Sequence, residues 1–429
     1  MKNTIDIIST NELAQIIHKD NVHIIDIRSV NAYNGWKEQQ EPRGGHIKNA
    51  RSVPFKWFQY IDWLEIIESK QIATDNQIIV YGYDRDKIDK AAAQFKKAGY
   101  ENIRVYYEFC RDWTKNSSLP MDFMKKYKQL VSAGWLNQLM KSEKAPEYDN
   151  NKFVICHAHY QNPSAYDEGH IPGAIEVDTN SLESPETWNR RTPQELKLIL
   201  EKLGITHDTT VICYGRFSFP DNNDPFPGSS AGHLGSIRAA LIMMYAGVRD
   251  VRILNGGLQA WLDEGLELTT RETLPNPVTD FGRKIPANPE LFIDLPQAKE
   301  YLKADNKNLV SVRSWEEYIG NVSGYNYIAK KGRIPGSVFG NCGSDAYHME
   351  NYRNLDHTTR EYDEIIKQWS SAGINKDKYN AFYCGTGWRG SEAFLNAWLM
   401  DWPNISVYDG GWFEWSNDST NPYETGPLN

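Results

Sequence analysis

Short apolar runs alternate along this chain with longer stretches of helical period. Ile24-Ile25-Asp26-Ile27-Arg28-Ser29, Phe153-Val154-Ile155-Cys156-His157 and Leu309-Val310-Ser311-Val312-Arg313-Ser314 are β-branched and largely apolar, as in buried strands of a parallel sheet. A second set reads Ile79-Val80-Tyr81-Gly82-Tyr83, Val211-Ile212-Cys213-Tyr214-Gly215 and Ala381-Phe382-Tyr383-Cys384-Gly385. Each run of this set leads into helical sequence: Asp89 to Ala98, Ser236 to Tyr245, and Ser391 to Met400. Strands alternating with helices predict βαβ units and a mainly parallel sheet flanked by helices.

The pattern is written three times, at a period of roughly 140 residues, about the size of a domain. A Gly-led turn recurs at Gly45-His46-Ile47, Gly169-His170-Ile171-Pro172-Gly173 and Gly332-Arg333-Ile334-Pro335-Gly336. A strand followed by a Trp recurs at Arg104 to Trp113, Arg252 to Trp261 and Ser406 to Trp415. Gly82 precedes Trp113 by 31 residues, and Cys384 precedes Trp415 by 31. Placing Tyr214 at the same position gives 47 residues to Trp261. The middle copy then carries an insertion of about 16 residues within 217–233. The expected architecture is α/β, with three tandem domains over 1–120, 121–275 and 276–429, the first two inactive and the third catalytic.

Composition narrows the class. At 429 residues, 40% hydrophobic and 24% charged, the chain fits a multidomain globular protein. A net charge of −9 argues against nucleic acid or an anionic membrane as partner. No apolar stretch is long enough to span a bilayer. The first residues lack the apolar core of a secretory signal, so a cytoplasmic location is expected, or a periplasmic one if a leader has been removed. Five scattered cysteines, Cys110, Cys156, Cys213, Cys342 and Cys384, suggest neither a disulfide framework nor a zinc site.

Of the three equivalent loops, only the last holds a thiol at its head. Cys213 is expected to be a small core hydrophobe instead. In Cys384-Gly385-Thr386-Gly387-Trp388-Arg389 a cysteine closes a strand before a short Gly-rich loop and a helix. Backbone amides turned toward the sulfur, with the positive end of the helix, stabilise an anion there. Such surroundings favour a thiolate nucleophile. Arg389 is expected to add a permanent cation to the rim.

These residues resemble the rhodanese family of sulfurtransferases. So do Tyr408-Asp409-Gly410-Gly411-Trp412 with Trp415, the turn at Gly332, and Val312-Arg313-Ser314 with Tyr318 and Gly320. The likeness spans nearly the whole chain and is greatest to bacterial three-domain members with one active, C-terminal domain. It implies three rhodanese-like domains and ping-pong chemistry on Cys384. The thiolate takes the outer sulfur of thiosulfate, sulfite leaves, and cyanide or a thiol accepts the sulfur from the persulfide. Gly385, Thr386, Gly387, Trp388 and Arg389 would hold the persulfide. Arg313, Lys330, Lys331 and Arg333 would draw in the anionic donor, and Ser344 and His348 are candidate pocket residues. The implied cycle uses no cofactor beyond the covalent persulfide, and no metal. The family often carries an Asp in the first strand of this domain. Asp26 supplies it in copy one, but copy three has Ser311, which cannot make the salt bridge of an Asp.

Rival readings differ in one feature each. Cys-Gly-Thr-Gly also resembles 3-mercaptopyruvate sulfurtransferases, whereas Trp388-Arg389 does not. A Cys-dependent phosphatase on a related fold has five residues between Cys and Arg, and here there are four. A scaffold role fits the first two copies, whose loops lack the thiol, but not the intact third loop. Cys156-His157-Ala158-His159 reads as a strand end rather than a metal site. Cys342 is a candidate to resolve the persulfide into a disulfide. The middle copy's insertion is expected to shape the pocket mouth.

Overall fold

In the computed structural model, residues 5–142, 144–217 and 232–427 are described. The chain divides into two compact units, Met1–Lys128 and Gln129–Asn429. The first unit holds one five-stranded parallel sheet, with strands Asp6–Ile7, Val22–Asp26, Arg51–Ser52, Gln77–Tyr81 and Ile103–Tyr106. The second unit holds two such sheets. One comprises Leu130–Val131, Phe153–His159, Ala174–Asp178, Thr210–Gly215 and Asp250–Leu254. The other comprises Phe292–Ile293, Lys307–Ser311, Val338–Phe339, Tyr379–Tyr383 and Ile405–Tyr408. Numbered within each copy, the strands lie in the order 1-5-4-2-3 in all three sheets. The repeat in the sequence is therefore a repeat of topology. Among the described residues no helix is long and apolar enough to cross a membrane.

The sheet register corrects one expectation. Asp26 pairs with Tyr81, His157 with Tyr214, and Ser311 with Tyr383. The equivalent residues are thus Tyr81, Tyr214 and Tyr383, and the loop heads that follow are Gly82, Gly215 and Cys384. Tyr214 does not occupy the position of Cys384, because the middle strand runs one residue further than the spacing suggested. Cys213 lies opposite Cys156 in the register, and both are fully buried. A side chain at Gly215 would have no room. An ideal Cβ there would stand 2.2 Å from the carbonyl carbon and oxygen of Gly232. At Gly82 the nearest obstacle is the Ile27 side chain, at 2.8 Å.

Two helices carry copy two to the third loop. Gly232–Ala246 is apolar nearly all round and buried along its whole length, as expected of a helix with no solvent face. It packs against Trp388–Leu399, the helix that follows the third loop. Apart from Phe217, Gly232 and His233, the expected insertion lies outside the described residues.

Candidate functional site

Cys384 sits at the end of the fourth strand of copy three and is fully buried. The loop behind it is pinned through its carbonyls. Trp412 donates its amide to the Cys384 carbonyl (2.8 Å), and Phe413 donates to that of Gly385 (2.9 Å). A trans peptide directs its N–H away from its carbonyl, so the following amides face the opposite side. Among the described residues, the amides of Gly385, Thr386 and Gly387 donate to no other group. Gly387 then caps the helix in the left-handed region (φ 91°). The result is a cluster of unspent donors at a helix N-terminus, suited to a sulfur anion.

Arg389 is not on the rim. It is 1% exposed and donates to both Glu317 oxygens, at 2.8 and 2.9 Å. It also donates to the Tyr325 hydroxyl (2.9 Å), the Cys342 sulfur (3.1 Å) and the Asp345 carbonyl (3.3 Å). Burial alone would raise the Glu317 carboxyl, but the Arg389 guanidinium outweighs it and holds Glu317 below the usual carboxylate range. The charge of Arg389 is thus largely matched, and its fork fixes the floor of the site. Burial pushes the Cys342 thiol up to about 12, so Cys342 stays protonated and donates to the Asp345 carbonyl.

The other expected anion-binding residues are each engaged by protein groups. Arg313 is fully buried and donates to the Ser311 hydroxyl (3.2 Å) and the Gly332 carbonyl (2.7 Å). This takes the place of the carboxylate pair that copy one makes. Lys330 lies over the Tyr423 ring, and its carbonyl accepts the Trp412 indole N–H. Lys331 donates to the Asn321 carbonyl. Arg333 pairs with Glu424 at 3.3 Å and donates to the Gly426 carbonyl. Ser344 donates to Glu350, and His348 bonds Asp345. Cys156, His157 and His159 lie within one strand, and the described residues contain no group of three or more side chains able to hold a metal.

The loop instead faces an aromatic cavity of about 430 Å³ including its mouth, with Thr386, Trp388 and Arg389 in its lining. Tyr325, Tyr327 and Tyr347 of copy three and Tyr160 and Trp188 of copy two also line it, and four of these rings form an aromatic wall. Their rings run as a stack: Tyr160 on Trp188 (5.3 Å), Trp188 on Tyr327 (5.2 Å), Tyr327 on Tyr325 (5.1 Å). Trp388 meets Tyr160 edge-on at 5.8 Å. Tyr327 shares a hydrogen bond with Thr386. Sequence reasoning missed this wall, and with it Glu317. The available signals were the Ser314-x-x-Glu317 capping pattern, which does form a capping box, and two tyrosines placed in a Gly-rich loop.

A buried loop-head cysteine with unspent amides, on the third of three like-ordered parallel sheets, defines the class as an α/β sulfurtransferase. The chain belongs to the rhodanese family: the Rhodanese-like domain matches residues 9–116, 132–264 and 294–418. It is 39% identical over 415 residues to thiosulfate sulfurtransferase YnjE of Escherichia coli K12, covering 96% of this chain and 90% of that protein. It is 27% identical over 304 residues to the sulfur carrier protein TtuD of Thermus thermophilus, covering 67% of this chain and 93% of TtuD. Among solved structures, wild-type EanB superposes with a TM-score of 0.97 at 56% identity, covering 99% of each chain. An EanB variant bearing a cysteine persulfide in a tetrahedral intermediate state with ergothioneine matches with a TM-score of 0.97 at 57% identity, covering 98% of this chain and 100% of that one. A cysteine-to-serine EanB variant in complex with hercynine gives 0.98 at 56%, covering 99% of each.

Proposed function

We propose that this enzyme loads sulfur onto Cys384 as a persulfide and passes it to the imidazole of a betaine such as hercynine, forming ergothioneine. The observation that carries the reading is the aromatic cavity. Ring faces attract quaternary ammonium groups, and hercynine is the trimethylammonium betaine of histidine. Among the described residues that line the cavity, the cationic side chain is Arg389, and it is already matched by Glu317. Such a wall suits an organic cation better than a small inorganic dianion.

The neighbours' variants support the same reading. EanB forms studied with hercynine or ergothioneine alter a tyrosine 59 positions before the persulfide cysteine and a threonine two positions after it. Tyr325 and Thr386 stand at those spacings from Cys384. The two cysteines replaced in another hercynine complex fall, by spacing, on Cys342 and Ser311.

In the transfer step, C2–H of the imidazole gives up its proton and the carbon bonds the outer sulfur. The S–S bond breaks, and its electron pair returns to Cys384 as thiolate, which takes up a proton. Atoms balance as persulfide plus C–H giving thiol plus C–SH. Tyr325 lies against Gly385 and hydrogen-bonds Arg389, next to this step. The donor is a sulfane-sulfur compound, with thiosulfate supported by the relation to YnjE.

The test loads the protein with thiosulfate or with polysulfide, removes excess donor, and adds hercynine, cyanide or a thiol. Mass spectrometry should show ergothioneine from hercynine. Thiocyanate formed in quantity with no ergothioneine would overturn the acceptor assignment.

A further inference from the structure

Copy two lacks a thiol at its loop head, yet it places two charged side chains directly against the third loop. Glu183 is 2% exposed on its side chain, and its Oε2 accepts the indole N–H of Trp388 at 2.8 Å. Its Oε1 accepts from Nε of Arg238 at 2.6 Å. Arg238, fully buried in the helix Gly232–Ala246, also donates to Asp409 and to the Trp188 carbonyl. An ideal Cβ on Gly387 would lie 3.1 Å from Nη1 of Arg238. Asp409 in turn accepts from the amide (3.0 Å) and the guanidinium of Arg190. The chain of contacts therefore runs from copy two through Glu183 and Arg238 to Gly387, Trp388 and Asp409 of copy three. It ends on one wall of the cavity.

We infer that Glu183 is a positioning residue for acceptor selection: tied to Arg238, it fixes the Trp388 indole so that the ring helps seat the onium group of the acceptor. This rests on the betaine reading given above. Trp388 is the half-buried first residue of its helix, and its N–H bond to Glu183 restricts rotation about its side-chain torsions. A fixed ring presents a defined face to a cation, whereas a rotating one does not. The same contacts give copy two a part in the reaction: it fits the cavity to its acceptor without handling sulfur.

The test separates the two half-reactions in the full-length protein. Glu183→Gln keeps the shape but cannot accept from both Arg238 and Trp388. Its KM for hercynine should rise about tenfold, while the rate of persulfide formation on Cys384 changes by less than about twofold. Trp388→Phe breaks the same bond from the other side, so the double variant should be little worse than Trp388→Phe alone. Burial, opposed by Arg238, raises the Glu183 carboxyl to about 7. Besides Arg238 and Trp388, the groups facing it are Asp409 and Tyr160. In the wild type, KM for hercynine should rise as pH falls through 7, and Glu183→Gln should flatten that rise. Equal losses in both half-reactions, or additive losses in the double variant, would overturn the inference. Wild-type protein that loads sulfur and forms thiocyanate but no ergothioneine would sink the betaine reading itself, and the inference with it.

Discussion

Copies one and three contain the same strand segment with one decisive difference. In copy one, Asp26 and Arg28 form a fully buried pair, and the Tyr81 hydroxyl donates to Asp26 at 2.6 Å. In copy three, Ser311 replaces the carboxylate. Arg313 keeps its bond to the turn carbonyl, Gly332 in place of Gly45. Among the described residues, the Tyr383 hydroxyl and the Arg313 Nη1, whose copy-one counterpart donates to Tyr83, have no hydrogen-bond partner. The sheet is the same, but the buried cation beside the Cys384 strand is no longer neutralised by its neighbour. Copy one has the better-satisfied polar core, and in copy three the carboxylate that attracts Arg313 is Glu317, which is already bonded to Arg389. Arg313 is held partly by its position over the Trp412 ring, 5.1 Å from the centroid. Copy two has His157 at this register position, with neither ring nitrogen bonded among the described residues.

The largest effect is expected at the thiol. Cys384→Ser should abolish persulfide formation and cut turnover by at least about a thousandfold. Intact-protein mass spectrometry after loading would show it, and sulfur retained on another cysteine would break the distinction between the copies.

Next comes Asp26→Ser, which gives copy one the pattern of copy three. Removing one partner of a buried pair should destabilise the first unit by about 3 kcal/mol. Urea unfolding followed by hydrogen exchange in 1–128 measures this, and a cost below about 1 kcal/mol would show that the carboxylate is dispensable there. The reverse exchange, Ser311→Asp, should raise stability by about 1–2 kcal/mol by giving the Tyr383 hydroxyl an acceptor and Arg313 a carboxylate partner, as Asp26 does for Tyr81 and Arg28. The added negative charge should also slow loading from an anionic donor. A variant that is both more stable and equally fast would dissociate the charge from function.

The smallest effect is at the third member of the set. Burial lowers the His157 imidazole to about 3. The unfolded chain takes up this proton below roughly 6.5, so the contribution is complete above that pH and is lost progressively as pH falls toward 3. His157→Leu should gain about 1 kcal/mol at neutral pH and flatten part of the acid limb of a stability–pH curve.

The strands and the catalytic candidate were readable because both are local. Ile24-Ile25 or Leu309-Val310 reports burial by itself, and Cys384 stands out in a Gly-x-Gly loop. The one-residue error at Tyr214 arose where no thiol marks the loop and an insertion hides its far end. Only pairing with His157 fixes that register. Arg389 looked like a rim cation because its partner, Glu317, lies 72 residues upstream. The aromatic wall is assembled from residues near 160, 188, 325 and 388, in two copies of the repeat, and no window of sequence contains it.

The crowding at Gly215 bears on the history of the repeat. Duplicated domains that lose a catalytic residue are commonly pictured as one substitution away from regaining it. Copy one comes near that picture, since a side chain at Gly82 would meet side chains and no backbone, Ile27 at 2.8 Å and Ile88 at 3.6 Å. Copy two does not, because the backbone at Gly232 now occupies the volume a thiol would need. A thiol at that loop head would require moving main chain as well as changing one residue, so the lock on copy two lies in its backbone and not in its sequence at Gly215.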